Sequence, residues 1–141
     1  MGVRLLVGCL ALLPLSCGSS KFATVSGRVT MNGKPLVGAT VSFTPLGDDK
    51  SIEAPPGSVG KTNANGEYTL KAVNGKDGAL VGKHKVAISL LSEQIKEGDA
   101  RPRGGWPITD LIPDRYNENT ELTCDVPPGG KTDANFDLTS P

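Results

Sequence analysis

Val25-Ser26-Gly27-Arg28-Val29-Thr30-Met31-Asn32-Gly33, followed by Ala39-Thr40-Val41-Ser42-Phe43, decides the fold class of this chain. Successive side chains of a strand point to opposite faces, so a period of two marks a half-buried strand. Val25, Gly27, Val29 and Met31 fall on one face, and Thr24, Ser26, Arg28 and Thr30 on the other. Asn32-Gly33 suits the positive φ angles of a tight hairpin turn. The run after it points Ala39, Val41 and Phe43 inward and Thr40, Ser42 and Thr44 outward. Working outward, residues 45 to 58 read as a loop rich in Gly, Pro and Asp. Val59 to Thr62 and Glu67 to Ala72 then flank a second turn at Asn65-Gly66, with Tyr68 and Leu70 facing the core. Lys83 to Leu91 alternates Val86, Ile88 and Leu90 with Lys85, Ala87 and Ser89. Leu122, Cys124 and Val126 repeat the pattern, Pro127 to Lys131 turns the chain, and Ala134, Phe136 and Leu138 close it. Seven short strands without a sustained amphipathic helix predict an all-β antiparallel sandwich over residues 23–141.

Composition agrees with that reading. Aromatic residues are only 4% of the 141, so the core must be aliphatic, and 18 Gly with 11 Pro supply many turns. Fifteen basic residues balance fifteen acidic ones, which leaves no basic field to hold nucleic acid or an anionic membrane by charge alone. Three cysteines do not make a paired disulfide framework, and Cys9 and Cys17 lie in or beside the apolar N-terminal run.

That run explains the first residues as an address. Arg4 is a short positive n-region, and Leu5 to Leu15 has the length of a signal h-region but is too short to span a bilayer. Leu15-Ser16-Cys17, followed by Gly18-Ser19-Ser20, resembles a lipobox, where bacterial processing attaches diacylglycerol to the thiol and cleaves between Ser16 and Cys17. Pro14 stands where that pattern prefers an aliphatic residue. Leu6-Val7-Gly8-Cys9 fits the pattern locally but leaves too short an apolar run before it. The expectation is a signal peptide over 1–16, a lipidated Cys17 and a polar tether over 17–22; the alternative is an ordinary secretory signal. Each buried methylene of a palmitate-type chain contributes about 0.8 kcal/mol, so several chains anchor a neutral domain unaided. Gly18, not Asp, follows Cys17, which favours the outer over the inner membrane by analogy with Gram-negative sorting.

The segments Val25 to Thr30, Asn32 to Phe43 and Thr62-Asn63-Ala64-Asn65-Gly66-Glu67-Tyr68-Thr69-Leu70 resemble the carboxypeptidase regulatory-like family. Gly82-Lys83-His84-Lys85-Val86 and Leu111-Ile112-Pro113-Asp114-Arg115-Tyr116 resemble a subgroup of small lipoproteins of planctomycete-type bacteria. The resemblance implies a transthyretin-like Greek-key sandwich, related to carbohydrate-binding-like folds; it does not imply peptidase activity, because the domain is an accessory module in those enzymes, and no cofactor is expected. Asn63 and Asn65 stand where the family often carries Asp, which argues against a calcium loop, since hard cations favour carboxylate oxygens.

Candidate sites are few. One His and one core-facing thiol do not make a zinc peptidase centre, so no metal is expected. His84 reads as a rim residue at the edge of the core, and Cys124 as a small buried hydrophobe. Residues 92–120 form a stretch too long for an ordinary structureless loop. Its Arg101, Arg103, Trp106, Arg115 and Tyr116 offer an aromatic and guanidinium platform for a glycan or a protein; alternatively, Trp106, Ile108, Leu111, Ile112 and Tyr116 fold back over a sandwich edge. Asp48-Asp49-Lys50 and Lys76-Asp77 read as solvated loop charges. The leading expectation is a non-catalytic, membrane-anchored envelope module that binds other envelope proteins or glycans. The alternatives are a carbohydrate-binding module using the 92–120 loop, and a small-molecule carrier or enzyme accessory domain.

Overall fold

The computed structural model describes residues 21–47, 55–93, 98, 100, 102–105 and 107–141. Ser16, Cys17, Asp48, Asp49, Lys50, Arg101 and Trp106, and the readings that rest on them, lie outside the described residues. The chain is all-β. In order it forms β1 (Phe22–Ala23), β2 (Ser26–Met31), β3 (Lys34–Pro35), β4 (Thr40–Pro45), β5 (Ser58–Lys61), β6 (Glu67–Thr69) and β7 (Lys71–Ala72). It continues with β8 (Ala79–Leu80), β9 (Gly82–Ser89), β10 (Leu91–Glu93), β11 (Ile108–Asp110), a 3-10 turn at Asp114–Tyr116, β12 (Thr123–Val126) and β13 (Phe136–Leu138). No described helix is long and apolar enough to cross a membrane.

One antiparallel sheet runs β12-β9-β4-β5-β7, and a second runs β13-β2-β3, with β6 also paired to β2. Their inner faces supply the core: Val25, Val29, Val41, Val86 and Ile88 are fully buried, with Leu70, Val126 and Leu138 almost so. Phe43 meets Phe136 edge to face at 6.3 Å, joining the two sheets. The inward residues expected from the alternation of 25–43 are therefore the core, although Met31 and Gly27 are only half-buried. Asn32 (φ 51) and Gly33 (φ 80) form the expected left-handed turn.

Three expectations are corrected. β13 runs parallel to β2, with Phe136 opposite Val29 and Leu138 opposite Met31. β12 and β13 lie in different sheets, so their connection is a crossover and does not impose antiparallel order. Residues 67–72 are not one strand: β6 pairs with β2 and β7 with β5. The chain changes sheets at Leu70, which is buried and donates its N–H to the Val25 carbonyl at 2.9 Å. The third concerns His84, which is 1% exposed rather than a rim residue. Its strand is interior to the five-stranded sheet, between β12 and β4, and its ring packs on Phe43 at 5.6 Å.

The described residues of the 92–120 segment carry regular structure and specific contacts. β10 and β11 pair as an arm, with Leu91 opposite Asp110. Asp110 Oδ1 accepts the N–H groups of Leu90 (3.0 Å) and Ile112 (2.9 Å), and Oδ2 accepts from the Asn117 amide (3.2 Å). Ile112 enters the core and Tyr116 packs against it, whereas Ile108 and Leu111 stay exposed. Part of the segment covers the sandwich and part projects from it.

Burial holds the His84 imidazole below its usual pKa, against smaller upward pulls from the Gly82 carbonyl and Asp125. The unfolded chain takes up its proton near the ordinary value of about 6.5, while the folded chain resists it. Stability should thus be level above that value and fall as pH drops through the lower folded value. Urea midpoints measured across that window should show this slope in the native chain and a flatter one in His84→Leu. Equal slopes would contradict the assignment.

Candidate functional site

Two strand glycines build a concavity on the sandwich. A Cβ on Gly27 would lie 1.9 Å from the Ala134 carbonyl oxygen, and one on Gly60 would lie 2.7 Å from that of Thr69. Both contacts are with backbone, so glycine alone lets these segments approach. β5 of one sheet thereby crosses close to β6 of the other. Beneath the crossing, Tyr68 is buried and donates its hydroxyl to the Ala134 carbonyl at 2.5 Å.

The result is an open groove of about 720 Å³, walled by Ser26, Arg28, Lys61, Asn63, Glu67, Thr69, Thr132 and Asn135 over Gly27 and Tyr68. Its size is that of a small-ligand site, which usually spans about 300–1,000 Å³, but apart from Tyr68 its lining side chains are polar or charged. Arg28 and Glu67 form an ion pair at 3.0 Å, half exposed on both sides. Such a pair adds about 0–1 kcal/mol and serves here mainly to orient the wall. Asn135 Oδ1 accepts the Arg28 N–H at 2.9 Å, and Asn63 Oδ1 accepts those of Asn65 and Glu67 at 2.9 and 3.0 Å. Both amide oxygens are thus occupied within the fold. Among the described residues, the amide nitrogens of Asn63 and Asn135 and the Lys61 ammonium make no hydrogen bond or ion pair and remain available as donors. The groove can hold a polar ligand that presents acceptor oxygens.

The residues singled out in the sequence lie elsewhere. Arg115 stacks on Tyr116 at 4.9 Å and donates to the Thr139 carbonyl at 2.5 Å and to its Oγ1 at 3.0 Å. The Tyr116 hydroxyl accepts the Thr139 N–H at 3.2 Å. This pair ties down the C-terminal segment and does not line the groove. Arg103 is exposed in the turn closed by the Gly105 N–H on the Pro102 carbonyl at 3.0 Å. The signal that could have marked the groove was glycine inside strand patterns, at Gly27 and Gly60, where a close backbone approach is the usual cause.

The two tyrosines should titrate far apart. Hydrogen bonds from Thr139, then from Arg115, draw Tyr116 down to about 8. Burial, and next the charge of Cys124, push Tyr68 well above its usual range. An ultraviolet phenolate titration should show one group ionising near pH 8 and the other only on unfolding, and Tyr116→Phe should remove the early step. Two ordinary titrations would contradict both placements.

Comparison of the chain with protein-family models, with curated proteins and with solved structures gave no match.

Proposed function

We propose that this chain is an envelope lipoprotein, anchored through acyl chains on Cys17, whose β domain is a non-catalytic binding module holding a polar ligand in the groove beside β2, β5 and β6. The observation that carries the binding role is the groove itself: a polar concavity built by tight glycine approaches, with donors left over. The anchor rests on the apolar run Leu5 to Leu15, the Ser16-Cys17 junction and the polar residues after it. We further assign the domain to the transthyretin-like Greek-key sandwiches of carboxypeptidase regulatory-like type. Its two facing sheets, its Asn32-Gly33 and Asn65-Gly66 turns and its aliphatic core support that assignment.

Tether length bears on how such a domain would sit. The Lys21 carbonyl accepts the Val81 N–H at 2.8 Å, and β1 pairs with β8 directly after it. Only Gly18, Ser19 and Ser20 separate Cys17 from this point, a reach of at most about 14 Å. The domain would be held against the membrane surface, and its partners would be other envelope components. A protein contact through the arm is a second reading, favoured by Leu91 and Ile108, 65% and 63% exposed on the same arm face.

The binding role is tested by placing a photo-crosslinking side chain at Thr69 or Thr132 in cells and identifying adducts by mass spectrometry. Adducts at these positions, lost when Lys61→Glu is added, are expected. Labelling no different from that at Lys76, outside the groove, would sink the proposal.

A further inference from the structure

We propose that His84 and Cys124 together bind one soft monovalent cation, Cu(I), in two-coordinate form inside the sandwich. The two residues are register partners across the β9–β12 ladder. Both side chains point inward, with His84 1% and Cys124 8% exposed. Partners opposite each other on one face of an antiparallel pair have Cβ atoms about 5 Å apart, so the imidazole and the thiol start from neighbouring positions on the inner face.

The imidazole is set in its ligating form. Nδ1 lies 3.0 Å from the Gly82 carbonyl oxygen, which can only accept, so the proton is on Nδ1 and the Nε2 lone pair is open. A carbonyl on the remote nitrogen is also how metal-bound histidines are commonly oriented. Nε2 is buried and has no hydrogen-bond partner, an orphan that calls for an explanation. Among the described residues, the thiol's one hydrogen bond is a long contact with the Asp125 carbonyl at 3.9 Å.

Charge and ligand count select the ion. Among the described residues no group of three or more His, Cys, Asp or Glu could hold a metal, so an ion that requires four ligands has no site here. On binding, the Cys124 S–H bond breaks, an S–Cu bond forms and the proton leaves to solvent; no electron is transferred. Thiolate, neutral imidazole and a monovalent cation sum to zero charge, so the complex can be buried without an uncompensated charge. A divalent ion would leave one. Thiolate and imidazole are also ligands that suit Cu(I).

The test uses the full chain with Cys9→Ala and Cys17→Ala, so that Cys124 is the only thiol, under anaerobic conditions. Cu(I) is supplied from a chromophoric chelator, and Ag(I) serves as the probe for nitrogen NMR. One ion per chain should be withdrawn from the chelator, and Cys124→Ser or His84→Gln should each weaken binding by more than about 100-fold, beyond the usual effect of outer-shell changes. In the unsubstituted pair, Ag(I) should shift the Nε2 resonance of His84 and leave Nδ1 nearly unmoved. That spectrum reports on the site even if a variant fails to fold. Undiminished binding in His84→Gln, or an unmoved Nε2 at saturating Ag(I), would overturn the proposal.

Discussion

Gly27→Ala should cost the domain about 3 kcal/mol, the upper end of the range for forcing extra atoms into a packed site. The position is only half-buried by area, so burial alone would suggest a mild effect. Geometry says otherwise, because the new Cβ would sit 1.9 Å from the Ala134 oxygen and 2.4 Å from its carbonyl carbon. Neither atom belongs to a side chain that can rotate away. Relief requires moving the Ala134 segment off β2, which strains three contacts at once: the Tyr68 hydroxyl on the Ala134 carbonyl, the Ala134 N–H on the Ser26 carbonyl at 3.1 Å, and the Arg28 N–H on the Asn135 amide oxygen. Folding and the groove should therefore fail together. Urea denaturation of Gly27→Ala is the measurement, with Gly33→Ala for comparison. Gly33 has open space around it, and only its turn geometry (φ +80) opposes a side chain. A loss below about 1 kcal/mol at Gly27 would mean that the two backbones do not approach as described.

Phe43→Ala should be the most damaging core truncation, at about 3–5 kcal/mol. Phe43 is 1% exposed and lies on β4, the middle strand of the five-stranded sheet, opposite Val86 on one side and Ser58 on the other. Its ring also contacts His84 and, across the sandwich, Phe136. With aromatics at 4% of the chain, few other side chains can collapse into the space it leaves. A domain typically has about 5–15 kcal/mol in all, so this one change removes a large fraction of its stability. A second effect follows from the same contact. Opening space beside the buried imidazole admits water and should return the His84 pKa toward its ordinary value, shrinking the acid-side slope described above. Denaturant unfolding together with NMR titration of His84 checks both. A cost near that of an exposed substitution, with an unchanged titration, would contradict the placement of the ring.

Most of the sandwich was legible because alternation reports burial directly. Ala39, Val41 and Phe43, or Val86 and Ile88, can satisfy a period of two only by sharing an inner face. Asn32-Gly33 was legible for a different reason, since few dipeptides adopt left-handed φ so readily. Features set by tertiary approach were not. Nothing local to Leu70 says that the chain changes sheets there, because its inward side chain serves either sheet equally well. The parallel pairing of β13 depends on where β12 lies, which its own residues do not encode. His84 alternates with Lys83 and Lys85 and so reads as a boundary residue, yet its interior strand buries it fully. The groove was the least visible of all: glycine has no side chain to pattern, and what Gly27 and Gly60 make possible lies in the segments that approach them. Arg115 and Tyr116 drew notice as polar and aromatic chemistry, but their hydrogen bonds are spent on Thr139.

The proposed membrane anchor at Cys17 is tested most directly by the mass of the mature N-terminal peptide. The expected spectrum of protein isolated from its own cells shows a first residue at Cys17 carrying diacylglycerol, and Cys17→Ala should release the domain from the membrane fraction. An N-terminus at any other residue, or an unmodified Cys17, would contradict it.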